Sequence, residues 1–284
     1  MKACNAPCKP NTLVFRARGK PLSTTAFVSA NPDKEYGKDN HNRLNLHTAT
    51  DSHPTLNLGA NFMSAFKYNR LDKNNAAALL VDHQTGLFSL VKDFGASDFK
   101  NNVLALAGTA KFFNLPTILT TSFEQGPNGP LLPEIKEMFP DAPYIARPGQ
   151  INAWDNEDFV KAVAATGKKQ LIIAGIVTDV CVAFCALSAV EAGYDVFVVT
   201  DASGTFDEVC RYAAWNRMSS AGVQLVNWFS VACELHRDWR NDIEGLGSLL
   251  AGYIPDYKNL MTSYSATKNS ASASSEKAPA MASA

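Results

Sequence analysis

From Asn75 onward the chain alternates short apolar runs with longer stretches of helical period. Residues 76–81 are six consecutive apolar positions, the pattern of a strand buried on both faces. Residues 98–113 then place Phe99, Val103, Leu104, Leu106 and Ala107 near one helical face, and Asn114-Leu115-Pro116 stops that helix. The same reading predicts strands at residues 117–121, 144–146, 171–174, 196–199 and 223–226, and helices near 156–165, 179–192 and 207–221. A Gly/Pro-rich loop spans residues 126–133. Six short strands alternating with helices predict an α/β fold whose mainly parallel six-stranded sheet is covered on both faces.

The flanks break this rhythm. Residues 1–70 mix Asn, Pro, Thr, Ser and His without a sustained period and are predicted to be a disordered extension. Residues 265–284 are rich in Ser and Ala and poor in large apolar side chains, which predicts a disordered tail. Residues 71–264 remain as the folded domain.

Composition narrows the classes of function. The 284 residues are 46% hydrophobic, enough for a full α/β core, and 26 basic against 27 acidic residues leave a net charge of −1. That balance gives no electrostatic case for nucleic acid or an anionic membrane surface; a small-molecule ligand is expected instead. No run approaches the roughly 18 apolar residues of a membrane span. A cytoplasmic protein is expected, with a mitochondrial one as the alternative, because the first 32 residues carry basic side chains and no acid before Asp33. The six cysteines are scattered, which suits free thiols better than a disulfide framework.

In parallel α/β sheets ligands bind where strands end at their carboxyl edge. Asp82 directly follows the first predicted strand, Arg147 follows the third, and Cys181 follows the break at Gly175 after the fourth. A carboxylate beside a thiol can act as general base, and a guanidinium can stabilise nearby negative charge. Cys181 also falls in the first turn of a predicted helix, where unpaired N–H groups favour a thiolate. Phe88, Phe123, Asn152 and Trp154 fall in loops beside this edge and are weaker candidates for a ligand wall, with core packing the competing reading for the aromatics. Cys185, amid apolar neighbours, is expected to be a buried structural residue, although a resolving thiol is conceivable. Cys233 and His236 are expected on a packing helix with a solvated imidazole.

Three segments together resemble a known family. Val81-Asp82-His83-Gln84-x-Gly86-Leu87, Ala146-Arg147-Pro148-Gly149-x-Ile151-Asn152-Ala153-Trp154 and Ala174-Gly175-x-Val177-Thr178-x-x-Cys181-Val182 are similar to the isochorismatase-like cysteine hydrolases, in their YcaC-like branch. Residues 120–124 and 201–205 extend the resemblance, which covers about residues 75–264. It implies a three-layer α/β/α sandwich and a catalytic triad of Asp82, Arg147 and Cys181. Nicotinamidase-type members carry Lys where Arg147 stands, and many hold a metal through an Asp and two His. No second histidine lies near His83 here, so neither a metal nor another cofactor is expected.

The resemblance further implies a cis peptide joining Val177 and Thr178, and an oxyanion held by backbone N–H groups of the Val177-Thr178 turn and Cys181. It implies cleavage of a small amide-like C–N substrate through a Cys181 thiolate and an acyl-enzyme. It also implies a homo-oligomer, possibly built of octameric rings. Two other readings share the residues: a non-catalytic ligand-binding or assembly protein on the same fold, and a thiol redox sensor using Cys181 and Cys185.

Overall fold

The structure, a computed structural model, describes residues 68–276. The expected disordered extension, apart from its last residues, and the end of the expected tail lie outside the described residues.

Within them the six predicted strands form: β1 (Ala76–Val81), β2 (Thr117–Ser122), β3 (Tyr144–Arg147), β4 (Gln170–Gly175), β5 (Asp195–Val199) and β6 (Gln224–Val226). They make one sheet in the order β3-β2-β1-β4-β5-β6, and every neighbouring pair is parallel. The helices are α1 (Ala96–Phe112), α2 (Pro133–Met138), α3 (Glu157–Ala165), α4 (Ala183–Glu191), α5 (Glu208–Ser220), α6 (Trp228–His236), α7 (Ile243–Tyr253) and α8 (Pro255–Glu276).

The period of two in β1 sorts its side chains between two cores. Ala76, Ala78 and Leu80 join the residues of α1, α6 and α7 on one face, while Ala77, Leu79 and Val81 join those of α3, α4 and α5 on the other. All six β1 positions are fully buried, which is why the strand reads as an unbroken apolar run. These two cores are the outer interfaces of the expected three-layer α/β/α sandwich.

The strand order reverses at β1 and β4: β2 and β3 lie on one side of this pair, β5 and β6 on the other. A crevice opens at such a switch point, outside the carboxyl ends of the strands. Register aligns those ends, with Val81 opposite both Thr120 and Gly175, and Ser122 opposite Arg147. Asp82, Arg147 and the chain leading to Cys181 therefore leave the sheet at one edge.

One end of the domain departs from the expectation. Helix α8 runs to Glu276, through residues 265–276 that were assigned to a disordered tail. The segment continues a helix already tied to α7, where Lys268 pairs with Glu244 at 2.7 Å, and its hydroxyls are satisfied within the helix, as in Thr267 Oγ1 to Ser263 O at 3.1 Å and Ser270 Oγ to Ala266 O at 2.9 Å. Scarcity of large apolar residues argues against a core, not against a helix.

Gly175 holds the closest approach at the switch point. A Cβ there would stand 2.1 Å from the Val81 carbonyl oxygen, so β1 and β4 would have to part where the site is built. Gly175→Ala is expected to cost roughly 3 kcal/mol or more of stability, read as a drop in the urea midpoint. A midpoint equal to that of the unaltered protein would show that the strands have room to spare.

Candidate active site

Asp82 leaves β1 in the left-handed region, at φ 57°, a conformation that Asp tolerates better than most side chains. Its backbone N–H is held by the Thr120 carbonyl at 2.9 Å, which fixes the turn and aims the carboxylate into the switch-point crevice. The side chain is fully buried. Its Oδ1 accepts from Arg147 Nη2, whereas Oδ2 has no hydrogen-bond partner. Burial raises the Asp82 pKa, and the Arg147 charge and hydrogen bond work against that rise.

Arg147 is the largest fully buried side chain among the described residues. Its guanidinium donates in four directions: Nε to Thr120 Oγ1 at 3.0 Å, Nη1 to the carbonyls of Gln150 and of Ile151, the latter at 3.2 Å, and Nη2 to Asp82. One residue of β3 thereby ties the ends of β1 and β2 to the loop that follows β3. A lysine has one nitrogen and could not reach these acceptors in separate directions.

Cys181 lies on a π-helical turn (Thr178–Val182) between β4 and α4. The Val182 N–H bonds to the Val177 carbonyl five residues back, at 3.2 Å, and such widened turns frequently mark functional sites. The sequence suggested a thiol biased toward the thiolate, and here the structure corrects it. Burial and then the Asp82 charge push the Cys181 pKa up to about 12, outweighing a backbone hydrogen bond from Val177 and the Arg147 charge. The thiol is held protonated and hydrogen-bonded to the Asp82 carboxylate.

Two further corrections concern the same turn. The cis peptide joins Ile176 and Val177, one bond earlier than expected. The Thr178 N–H donates to the Gly204 carbonyl at 3.0 Å, so it is not available for an oxyanion. Val177, whose backbone hydrogen bond acts on the sulfur, remains the donor beside the thiol.

The four weaker wall candidates separate. Phe123 follows β2 with φ 48°, an unusual backbone for an aromatic residue, and is 49% exposed at the rim. Phe88 instead packs on Phe99, ring centroids 5.3 Å apart, against the first core. Asn152 has both ends of its amide engaged, donating to Ser188 Oγ at 3.0 Å and accepting from the Trp154 N–H at 3.1 Å. Trp154 meets Phe159 and Tyr194 edge-on at 6.0 and 5.9 Å and packs beside the second core. Cys185 is fully buried as expected, and burial pushes its thiol up to about 12, a poor resolving nucleophile.

Sequence reasoning passed over Gln84 and Thr120 as site residues. Buried Gln84 accepts from the Ser122 N–H at 2.8 Å and donates to the carbonyls of Ser122 at 3.0 Å and Gly129 at 2.5 Å, tying β1 to β2 and to the Gly/Pro loop. The Thr120 hydroxyl accepts from Arg147 and donates to the Ile145 carbonyl at 2.8 Å. The signal was a run of hydroxyl side chains, Thr120-Thr121-Ser122, in a wholly buried strand.

The residues do not fit the family's metal. His83 is fully buried with Nε2 bonded to the Ala202 carbonyl at 3.0 Å, and burial lowers its pKa to about 4. Among the described residues no group of three His, Cys, Asp or Glu side chains is placed to ligate an ion.

The fold agrees with what the chain is similar to. Residues 76–229 match the isochorismatase domain, and the chain belongs to that hydrolase family. It is 76% identical over 197 residues to the protein named Probable hydrolase YcaC of Escherichia coli, covering 69% of this chain and 95% of that one. The crystal structure of E. coli YcaC, described as an octameric hydrolase of unknown specificity, superposes with a TM-score of 0.70 at 74% identity, over 71% of this chain and 98% of that one. YcaC from Pseudomonas aeruginosa, solved with hexane-2,5-diol and covalent acrylamide, gives the same TM-score of 0.70 at 75% identity, over 71% of this chain and all of that one.

Two outcomes follow from the buried charges. Arg147→Met leaves the Asp82 carboxylate without its cation and should cost about 3–5 kcal/mol, measured by urea denaturation; the double variant with Asp82→Leu should recover part of it. Neutral His83 contributes stability that is full above its unfolded pKa near 6.5 and is lost as pH falls toward its folded value of about 4. Between pH 7 and about 4.5 the protein should therefore lose about 2–3 kcal/mol more than His83→Gln does. Equal losses would show that His83 accepts its proton without cost.

Proposed function

We propose that the chain is a cysteine hydrolase that cleaves the C–N bond of a small amide-like substrate, with Asp82, Arg147 and Cys181 as its triad. The carrying observation is one carboxylate with two oxygens in different states. Arg147 holds Oδ1, Oδ2 takes no N–H or O–H donor, and the Cys181 thiol hydrogen-bonds this same carboxylate.

Such a pair supports one proton cycle. Asp82 takes the thiol proton as Cys181 sulfur bonds to the substrate carbonyl carbon, and the oxyanion that forms accepts from the Val177 N–H. Collapse breaks the C–N bond, and Asp82 returns its proton to the departing nitrogen. Water then attacks the thioester, gives a proton to Asp82 and releases the acid, after which Asp82 reprotonates the sulfur. Arg147 holds Asp82 in place and moves no proton itself. Acrylamide is a thiol-directed electrophile, so its covalent presence in the P. aeruginosa relative supports a reactive cysteine in this family branch. The octameric E. coli relative supports a homo-oligomer here as well.

A second reading, a binding protein that keeps the fold without turnover, draws on the thiol held at about 12. Intact-protein mass spectrometry with a panel of small amides separates the two. Hydrolysis predicts an acyl adduct on Cys181 that is absent from Cys181→Ala and forms at least ~100-fold more slowly in Asp82→Asn. Acylation should weaken as pH falls through the raised Asp82 pKa, because the base is then protonated. Undiminished amide hydrolysis by Cys181→Ala would refute the scheme, and tight binding with no adduct would favour the binding reading.

A further inference from the structure

The hydrogen bonds of Arg147 tie together the ends of β1, β2 and β3 and go to none of the residues of the turn that carries Cys181. That turn is held from the other half of the sheet. Past the end of β5 the chain runs beside the end of β4: the Gly204 N–H donates to the Gly175 carbonyl at 3.3 Å, Gly204 pairs with Ile176 as a parallel bridge, and the Gly204 carbonyl accepts from the Thr178 N–H at 3.0 Å. One residue further, a side chain takes over. Thr205 Oγ1 donates to Asp179 Oδ1 at 2.6 Å, and Asp179 stands two residues before Cys181 in the π-helical turn.

Thr205 is fully buried, and its backbone is engaged with the connection from β1 to α1. Its N–H donates to Asp93 Oδ1 at 2.9 Å, and its carbonyl accepts from the Lys92 N–H at 2.8 Å. Asp93 is backed by Arg211 of α5, which pairs with its carboxylate at 3.6 Å and donates to its carbonyl at 3.0 Å. The guanidinium in turn lies 5.2 Å from the ring centroids of Phe94, Tyr212 and Trp215. Thr205 therefore gives one donor to each of two carboxylates that repel each other. Burial raises the Asp93 pKa, the Asp179 charge adds to that rise, and Arg211 opposes it. Arg211 reaches only Asp93, so the Thr205 hydroxyl is what draws Asp179 toward the buried loop against the repulsion.

We propose that Thr205 is a positioning residue for Cys181: through Asp179, its hydroxyl holds the π-helical turn where the sulfur meets the Asp82 carboxylate. The inference rests on Cys181 as the nucleophile. A hydrogen bond to a carboxylate is roughly twice as strong as one between neutral groups, and this one joins residues 26 apart in sequence, beyond the reach of local helix preference. A reacting atom misplaced by about 1 Å can cost about a hundredfold in rate.

Two measurements on the full chain test this in Thr205→Val, which keeps the shape and loses the hydroxyl, and in Thr205→Ser, which keeps the hydroxyl. Amide hydrogen exchange across residues 178–182 should quicken about tenfold in Thr205→Val relative to the β1 amides, and return to its original rate in Thr205→Ser. Asp179→Ala, at a half-buried position, should loosen the turn to the same extent and keeps the test open if Thr205→Val does not fold. The second readout is acrylamide addition to Cys181, followed by peptide mapping. Asp82→Asn should slow it about 100-fold in the otherwise unaltered protein, only about tenfold or less alongside Thr205→Val, and about 100-fold again alongside Thr205→Ser. Unchanged exchange in the turn, or an Asp82→Asn effect of the same size with and without the Thr205 hydroxyl, would overturn the proposal. If Asp82→Asn does not slow the addition even with Thr205 intact, the hydrolase reading fails on its own, and exchange in the turn decides whether Thr205 holds it.

Discussion

The buried ion pair between Asp82 and Arg147 is the constraint on which the rest of the site depends. Both side chains are wholly removed from water, and desolvating two such ions costs several kcal/mol each before their attraction is counted. The pair is tenable because the guanidinium also satisfies Thr120 and two loop carbonyls. A hydrophobic pair of similar volume would hold the sheet about as well. What it could not do is fix one carboxylate oxygen and leave its twin uncommitted.

The fold makes that placement possible. Three parallel strands, β1, β3 and β4, deliver their ends to one edge, and the reversal of strand order between β1 and β4 keeps a helix from covering the gap. Gly175 allows the β4 backbone to pass the Val81 carbonyl. Cys181 is then carried on a turn whose widened hydrogen bonding follows directly from the end of β4.

Much of this was legible in the chain. The apolar runs located all six strands, and the topological rule brought Asp82, Arg147 and Cys181 to one edge before any contact was known. What the sequence could not show is which partner each polar group takes. Thr178 donates to Gly204, Asn152 serves Ser188 and the Trp154 backbone, and His236 lies under the rings of Phe112 and Phe113 at the end of α1. Those choices depend on long-range packing between segments far apart in sequence, which periodicity does not encode. Helix α8 was missed for a different reason: its Ser/Ala-rich second half continues a helix tied to α7 through Lys268 and Glu244, a support that composition does not reveal.

The same distinction decides the state of the proposed nucleophile, Cys181. A helix N-terminus contributes roughly 0.3–1 kcal/mol toward an anion, and that was the basis for expecting a thiolate. Raising a thiol from an ordinary 9.0 to about 12 corresponds to about 4 kcal/mol against ionisation. Burial and the Asp82 charge therefore win by a wide margin. A sulfur held protonated beside a base is chemically idle until something changes the balance. In the proposed scheme an entering carbonyl group would do so, because the negative charge would move from sulfur to an oxygen within the Val177 N–H's reach while the proton moved to Asp82. The low-dielectric surroundings that disfavour a standing thiolate would strengthen that hydrogen bond to the oxyanion, so the burial that raises the Cys181 pKa at rest would favour the proposed attack once a substrate is in place.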